Sequence, residues 1–145
     1  MTHDEKKTLY AMVMKEIARF FTIHLNENKN THTIFYHSYD GEPDLDADMI
    51  WLSTDKEFSK EFGENTDAYY LNAKTPYITD EDGILRDSEG NDINYQGEPA
   101  SIGYFDAIDE IYQIWFMDNF DCVMTPSGDF TIVFDKNVLV PVKKI

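Results

Sequence analysis

Four short segments of this chain hold the side chains whose types and spacing could do chemistry. His37 ends an apolar run, Ile34-Phe35-Tyr36, and its ring nitrogens can donate or accept hydrogen bonds. Ser53 and Thr54 close a second run, Ile50-Trp51-Leu52, and offer paired hydroxyls. Phe62, Tyr69 and Tyr70 offer flat faces on which a planar ligand can stack, although strand alternation lets only one of the two tyrosines face a given pocket. Asp129 precedes Phe130-Thr131-Ile132-Val133-Phe134, where a carboxylate can stabilise positive charge that develops in a reaction. Asp121 and Glu110 are further carboxylate candidates. Each residue also has a plainer reading: a satisfied half-buried histidine, a helix cap from Ser53-Thr54-Asp55, core aromatics, and a turn aspartate after Gly128.

The elements that must position them follow from periodicity. Leu9, Val13, Ile17, Phe20 and Phe21 recur at helical spacing and predict a first helix over residues 4–26, stopped by Asn26, Asn28 and Asn30. Thr33 to Tyr36 and Met49 to Leu52 read as strands, separated by the turn Asp40-Gly41-Glu42-Pro43 and an acidic loop. Lys56 to Phe62 predicts a short helix with Phe58 and Phe62 one turn apart and Gly63 as its stop. A strand over Ala68 to Asn72 ends before Pro76, and residues 80–100 read as a long loop with a small hairpin or helical turn. Ile108, Ile111, Tyr112, Trp115 and Phe116 predict a helix over residues 102–118. Asp121 to Met124 and Phe130 to Phe134 form a hairpin around Pro126-Ser127-Gly128-Asp129, and Val138 to Val142 is an edge strand because Pro141 lacks an N–H. This order implies an antiparallel-rich α+β architecture. The chain reads as one domain, residues 1–145, with an N-terminal helix within 1–30 and a core over 33–145.

Composition narrows the classes of function. Of 145 residues, 42% are hydrophobic and 14% aromatic, which is ample for a core without cross-links. A single cysteine, Cys122, excludes an internal disulfide and suits a reducing compartment. Lys6 and Lys7 are followed by an apolar stretch broken by Lys15, Glu16 and Arg19, so neither a signal sequence nor a membrane span is expected and the expected location is cytoplasmic. The segment from Asp40 to Glu110 carries 20 of the 28 acidic residues against four basic ones, so it holds the whole net charge of −16. Direct binding to nucleic acid through phosphates is disfavoured, and either a basic partner or a solvated acidic surface is expected.

Several stretches together carry a resemblance. Phe35-Tyr36-His37-Ser38, then Ile50-Trp51-Leu52-Ser53-Thr54-Asp55-Lys56-Glu57-Phe58-Ser59-Lys60-Glu61-Phe62-Gly63, then Tyr70-Leu71-Asn72-Ala73-Lys74-Thr75-Pro76, occur in order. Asn119-Phe120-Asp121-Cys122-Val123 and Gly128-Asp129-Phe130-Thr131-Ile132-Val133-Phe134-Asp135 follow. Residues 33–145 resemble the small ADP-ribosyltransferase-like domains of phage and mobile elements, in their histidine-bearing branch. The resemblance implies a split, antiparallel-rich sheet with flanking helices and NAD as ADP-ribose donor. By it, His37 contacts a ribose and the backbone at Ser38 holds the nicotinamide amide. It further implies that Ser53 and Thr54 brace the pocket, that Phe62 or Tyr70 stacks on the ring, and that Asp129 is the catalytic carboxylate. The chain departs from the family pattern in having Ser38-Tyr39 where a glycine and a small hydroxyl residue are usual, and an aspartate at 129 where glutamate is more frequent. Some relatives of this size modify bacterial defence complexes, which implies an anti-defence or anti-CRISPR role in a host bacterial cell, against a basic, nucleic-acid-binding protein.

Other chemistries lack their residues. His3, His24, His32 and His37 have no zinc spacing, and the acidic run from Asp40 to Asp48 has the wrong offsets for a calcium loop. No phosphate-binding glycine loop, dinucleotide-binding glycine fingerprint or serine-hydrolase elbow is present. An alternative of another class remains: a non-enzymatic acidic mimic of nucleic acid that occupies a basic surface.

Overall fold

The computed structural model describes residues 2–14 and 33–142. Helix α1 covers residues 3–14. Its start is a capping box: the Thr2 hydroxyl accepts from the Glu5 N–H at 3.1 Å, and the Glu5 carboxylate accepts from the Thr2 N–H at 3.4 Å. The expected face is corrected here, because Leu9 and Val13 are exposed while Tyr10 and Met14 turn inward. Tyr10 packs on Gly90 and shares a hydrogen bond with Tyr77, so α1 lies over the acidic 80–100 segment. The rest of the expected helix, with Ile17, Phe20 and Phe21 and the asparagine stop, falls outside the described residues.

The strands are β1 (Phe35–Tyr39), β2 (Ile50–Leu52), β3 (Asn65–Leu71), β4 (Pro76–Ile78), β5 (Asn94–Tyr95), β6 (Glu98–Pro99), β7 (Cys122–Met124), β8 (Thr131–Val133) and β9 (Leu139–Pro141). They form a three-stranded sheet β1-β3-β9, a four-stranded sheet β2-β8-β7-β4, and the hairpin β5-β6. All pairings are antiparallel except β4 with β7, so the architecture is α+β and antiparallel-rich. β3 ends before Pro76 as expected, and Pro76 opens a further strand, β4, that the sequence did not single out. Proline is tolerated as the first residue of a strand, and Tyr77 is buried edge-on against Phe116 and Phe120. β9 is an edge strand, as Pro141 requires.

Helix α2 (Lys56–Ser59) is capped by Asp55, whose carboxylate accepts from the Phe58 N–H at 3.1 Å, and a 3-10 turn continues it to Phe62. The single helix expected over 102–118 is corrected to two elements, a 3-10 segment at Ile102–Ala107 and helix α3 at Glu110–Asn119. Ile108 between them is extended, and Asp109 caps α3 by accepting from the Ile111 N–H. An aspartate that binds the backbone locally competes with continuation of the helix, and here the cap prevails.

Central strands β7 and β8 are buried on both faces. Val123 and Ile132 point to a core with Tyr77, Phe105 and Phe116, while Cys122, Met124 and Val133 point to a second core with Phe35, Tyr69 and Leu139. Burial of both faces explains why these strands read as continuous apolar runs.

Among the described residues, one backbone bridge links the two sheets. The Tyr36 N–H donates to the Ser53 C=O at 2.7 Å, and the Ser53 N–H donates to the Tyr36 C=O at 3.0 Å. Just beyond it, Gly63 lies so close to Tyr39 that any Cβ would overlap the Tyr39 backbone. Gly63 caps the end of the 3-10 extension, as expected of it, but it is extended rather than left-handed, so the close approach is what demands glycine. Gly63→Ala is expected to destabilise the fold by about 1–3 kcal/mol through overpacking, measured as a lower urea midpoint with an unchanged slope.

Candidate functional site

A cavity of about 600 Å³ opens where β1 and β2 part. That volume is in the range of small-molecule sites. His37, Ser38 and Tyr39 form one wall, and Trp51, Leu52 and Ser53 another. Phe58, Ser59 and Phe62 come from α2 and its 3-10 extension, and Gly103, Asp106 and Phe130 close the far side. Asp40, Glu42 and Asp44 line the rim. Among the described residues no lysine or arginine lines it.

Hydrogen-bond alternation explains the opening. Tyr36 spends its N–H and C=O on Ser53, while the C=O of Ala68, its partner across β3, takes the Val142 N–H on the β9 side. Tyr36 and Ala68 are therefore a non-hydrogen-bonded pair, and so are Ser38 and Thr66 two residues on. The main-chain N–H and C=O of Ser38 accordingly face away from β3, toward β2. Trp51 is the residue that would answer them, but its C=O is held at 2.8 Å by His37 Nδ1. A carbonyl only accepts, so Nδ1 carries a proton and donates it. The ladder stops there, and the cavity begins.

The aromatic wall is a cluster. Phe58 meets Phe62 at 5.3 Å and Phe130 at 5.2 Å between centroids, both edge-on. Phe62 is 58% exposed, so the ring presents apolar surface beside the cavity. Beneath the wall, Ser38 Oγ lies 2.8 Å from both Ser59 Oγ and Thr66 Oγ1. Tyr39 donates its hydroxyl to Asp67 at 2.9 Å, and that bond to a carboxylate raises the Tyr39 pKa.

Of the residues expected to bind a ligand, His37, Ser38, Ser53 and Phe62 come together at the cavity. Thr54 does not line it: its N–H donates to the Gly128 C=O and its hydroxyl to the Ser127 C=O, bracing the hairpin turn. Tyr70 pairs with Val140 in the β3-β9 ladder, away from the cavity lining, and Tyr69 is buried in the second core. Asp129 also lies outside the lining. Its Oδ1 accepts from the Thr125 hydroxyl at 2.5 Å, the Ser127 hydroxyl at 2.8 Å and the Phe130 N–H at 3.1 Å. Asp121 accepts from the N–H groups of Lys74 and Thr75, and Glu110 sits in the first turn of α3.

The carboxylates that do line the cavity, Asp40, Glu42, Asp44 and Asp106, were not singled out from sequence. Phe58, Ser59 and Phe130 were missed as well. The available signals were the positions of Phe58 four residues before Phe62 and of Phe130 directly after Asp129.

The Thr125 hydroxyl chiefly, aided by Ser127 and the Phe130 N–H, holds the Asp129 carboxyl below the usual aspartate range despite the opposing effect of burial. A depressed folded-state pKa stabilises the fold above the ordinary aspartate pKa near ~4, and that contribution is lost as pH falls through the folded value. Because Asp129 is exposed and solvent screens it, Asp129→Ala is expected to cost less than about 1 kcal/mol at neutral pH, with the difference from wild type shrinking in acid; urea unfolding across pH measures both. No family model, curated protein or solved structure matches the chain, which leaves the cavity's own geometry as the ground for its function.

Proposed function

We propose that this protein is an ADP-ribosyltransferase-like factor that holds the nicotinamide end of NAD in the cavity and acts on a basic host protein, in an anti-defence role of phage or mobile-element origin. The observation that carries this reading is the Ser38 main chain. One N–H and one C=O stand side by side at the cavity, turned away from β3, and together they complement a planar carboxamide, which offers one acceptor and one donor. The Phe58, Phe62 and Phe130 cluster supplies faces against which a flat, cationic ring is stabilised.

NAD supplies a glycosidic bond whose cleavage releases neutral nicotinamide and leaves the ribose open to a nucleophile on the partner. The chain's part is to grip the amide at Ser38, cover the ring with Phe62, and surround the site with carboxylates. Asp40, Glu42, Asp44 and Asp106 face that space, so the charge-stabilising group is drawn from them and not from Asp129, which the turn engages. With no lysine or arginine among the described lining residues, a diphosphate gains no ion pair from them, and affinity rests on the nicotinamide end. The acidic central segment favours a basic partner and speeds the encounter.

One observation favours the other reading, an acidic mimic without catalysis: the carboxylate at the family's catalytic position is occupied by its own turn. Calorimetry separates the two. NAD should bind, its deamido form with a carboxylate in place of the carboxamide should bind at least about tenfold more weakly, and Phe62→Ala should weaken NAD by about tenfold through lost stacking. If neither NAD nor nicotinamide binds while the partner is still inhibited, the enzyme reading is wrong and the mimic stands.

A further inference from the structure

Three buried or half-buried hydroxyls beneath the cavity form a chain whose proton order can be read from one end. Ser59 Oγ donates to the Tyr36 C=O at 3.2 Å, which commits its only proton. Ser38 Oγ, 2.8 Å away, must then be the donor to Ser59 Oγ. With the Ser38 proton committed in turn, the third hydroxyl, Thr66 Oγ1 at 2.8 Å, must donate to Ser38. The order is Thr66 to Ser38 to Ser59 to the Tyr36 carbonyl. Ser38 and Ser59 line the cavity, whereas Thr66 does not.

We infer that Ser59 determines ligand specificity by taking the Ser38 hydroxyl proton, so that the Ser38 side chain can offer the cavity a lone pair and never a donor. The consequence is chemical selection. A carboxamide presents its NH2 to such a wall, whereas a carboxylate meets lone pairs from Ser38 and Ser59 as well as the rim carboxylates. Without Ser59 as acceptor, the Ser38 hydroxyl would turn and donate to a ligand oxygen, and a carboxylate would gain most because hydrogen bonds to charged groups are stronger. This deepens the carboxamide reading above and rests on it.

The test compares two variants that each remove one bond from the same chain. Ser59→Ala frees the Ser38 proton, while Thr66→Val leaves it committed to Ser59. The ratio of NAD to deamido-NAD affinity should fall about fivefold in Ser59→Ala and stay within about twofold of wild type in Thr66→Val. Ser59→Thr, which keeps the hydroxyl, should restore the ratio. Equal changes in the two variants, or none in either, overturn the inference, since a purely structural role would not distinguish them. If the wild type binds neither ligand, the carboxamide reading itself fails, and NMR of the Ser38 hydroxyl proton still decides the proton order. Protection kept in Thr66→Val and lost in Ser59→Ala upholds that order; equal protection in both overturns it.

Discussion

The site depends on a competition for one carbonyl. Antiparallel pairing of β1 with β2 begins at Tyr36 and Ser53, and continued pairing would bring Ser38 opposite Trp51. His37 takes the Trp51 carbonyl with its own ring instead. A side chain thereby ends a ladder that the backbone had begun, and the sheet splits into two. An open edge inside a protein normally costs free energy, because unpaired N–H and C=O groups lose water without gaining partners. Here the edge opens on a cavity that a polar ligand or water can enter, so the split is tolerable where it stands.

Packing then holds the split open. β7 and β8 are buried on both faces, so the four-stranded sheet is gripped between two cores and cannot slide toward β1. Gly63 brings the end of the α2 extension against Tyr39, and the Ser59 hydroxyl anchors α2 to β1. The hairpin turn is seated as closely. Gly128 has a left-handed φ of 78°, and a Cβ there would press on Thr54 and Phe35 at 2.8 and 2.9 Å. Phe130 reaches the cavity from that turn.

The acidic excess has two roles that composition cannot separate. Asp55, Asp109 and Asp135 each accept an N–H at the start of a helix or turn, and Asp87 accepts from Glu89 and Asn91. Arg86 bridges Asp80 at 3.0 Å and Asp92 at 3.2 Å, pinning the long segment on which α1 rests. These carboxylates are spent on local structure. The lining residues Asp40, Glu42, Asp44 and Asp106 are the ones that give the cavity its negative character.

Local signals alone carried much of this architecture. The Asp55 cap, the Pro126 to Asp129 turn, the edge position of β9 and most strands follow from residue types and two periodicities, because those depend on near neighbours in the chain. His37, Ser38, Ser53 and Phe62, which line the cavity, were legible in the sequence because each sits at the end or flank of such an element. What remained hidden depended on contacts across the fold. β4 exists because β7 lies beside it, the 102–118 helix breaks because the Asp109 cap is satisfied in place, and Thr54, Tyr70 and Asp129 are claimed by partners distant from the cavity or by their own turn. Residue type says what a side chain can bond, but only the tertiary structure decides which partner reaches it first. The Trp51 carbonyl, which accepts from the His37 ring at the point where the strand ladder stops, is where that decision made the site.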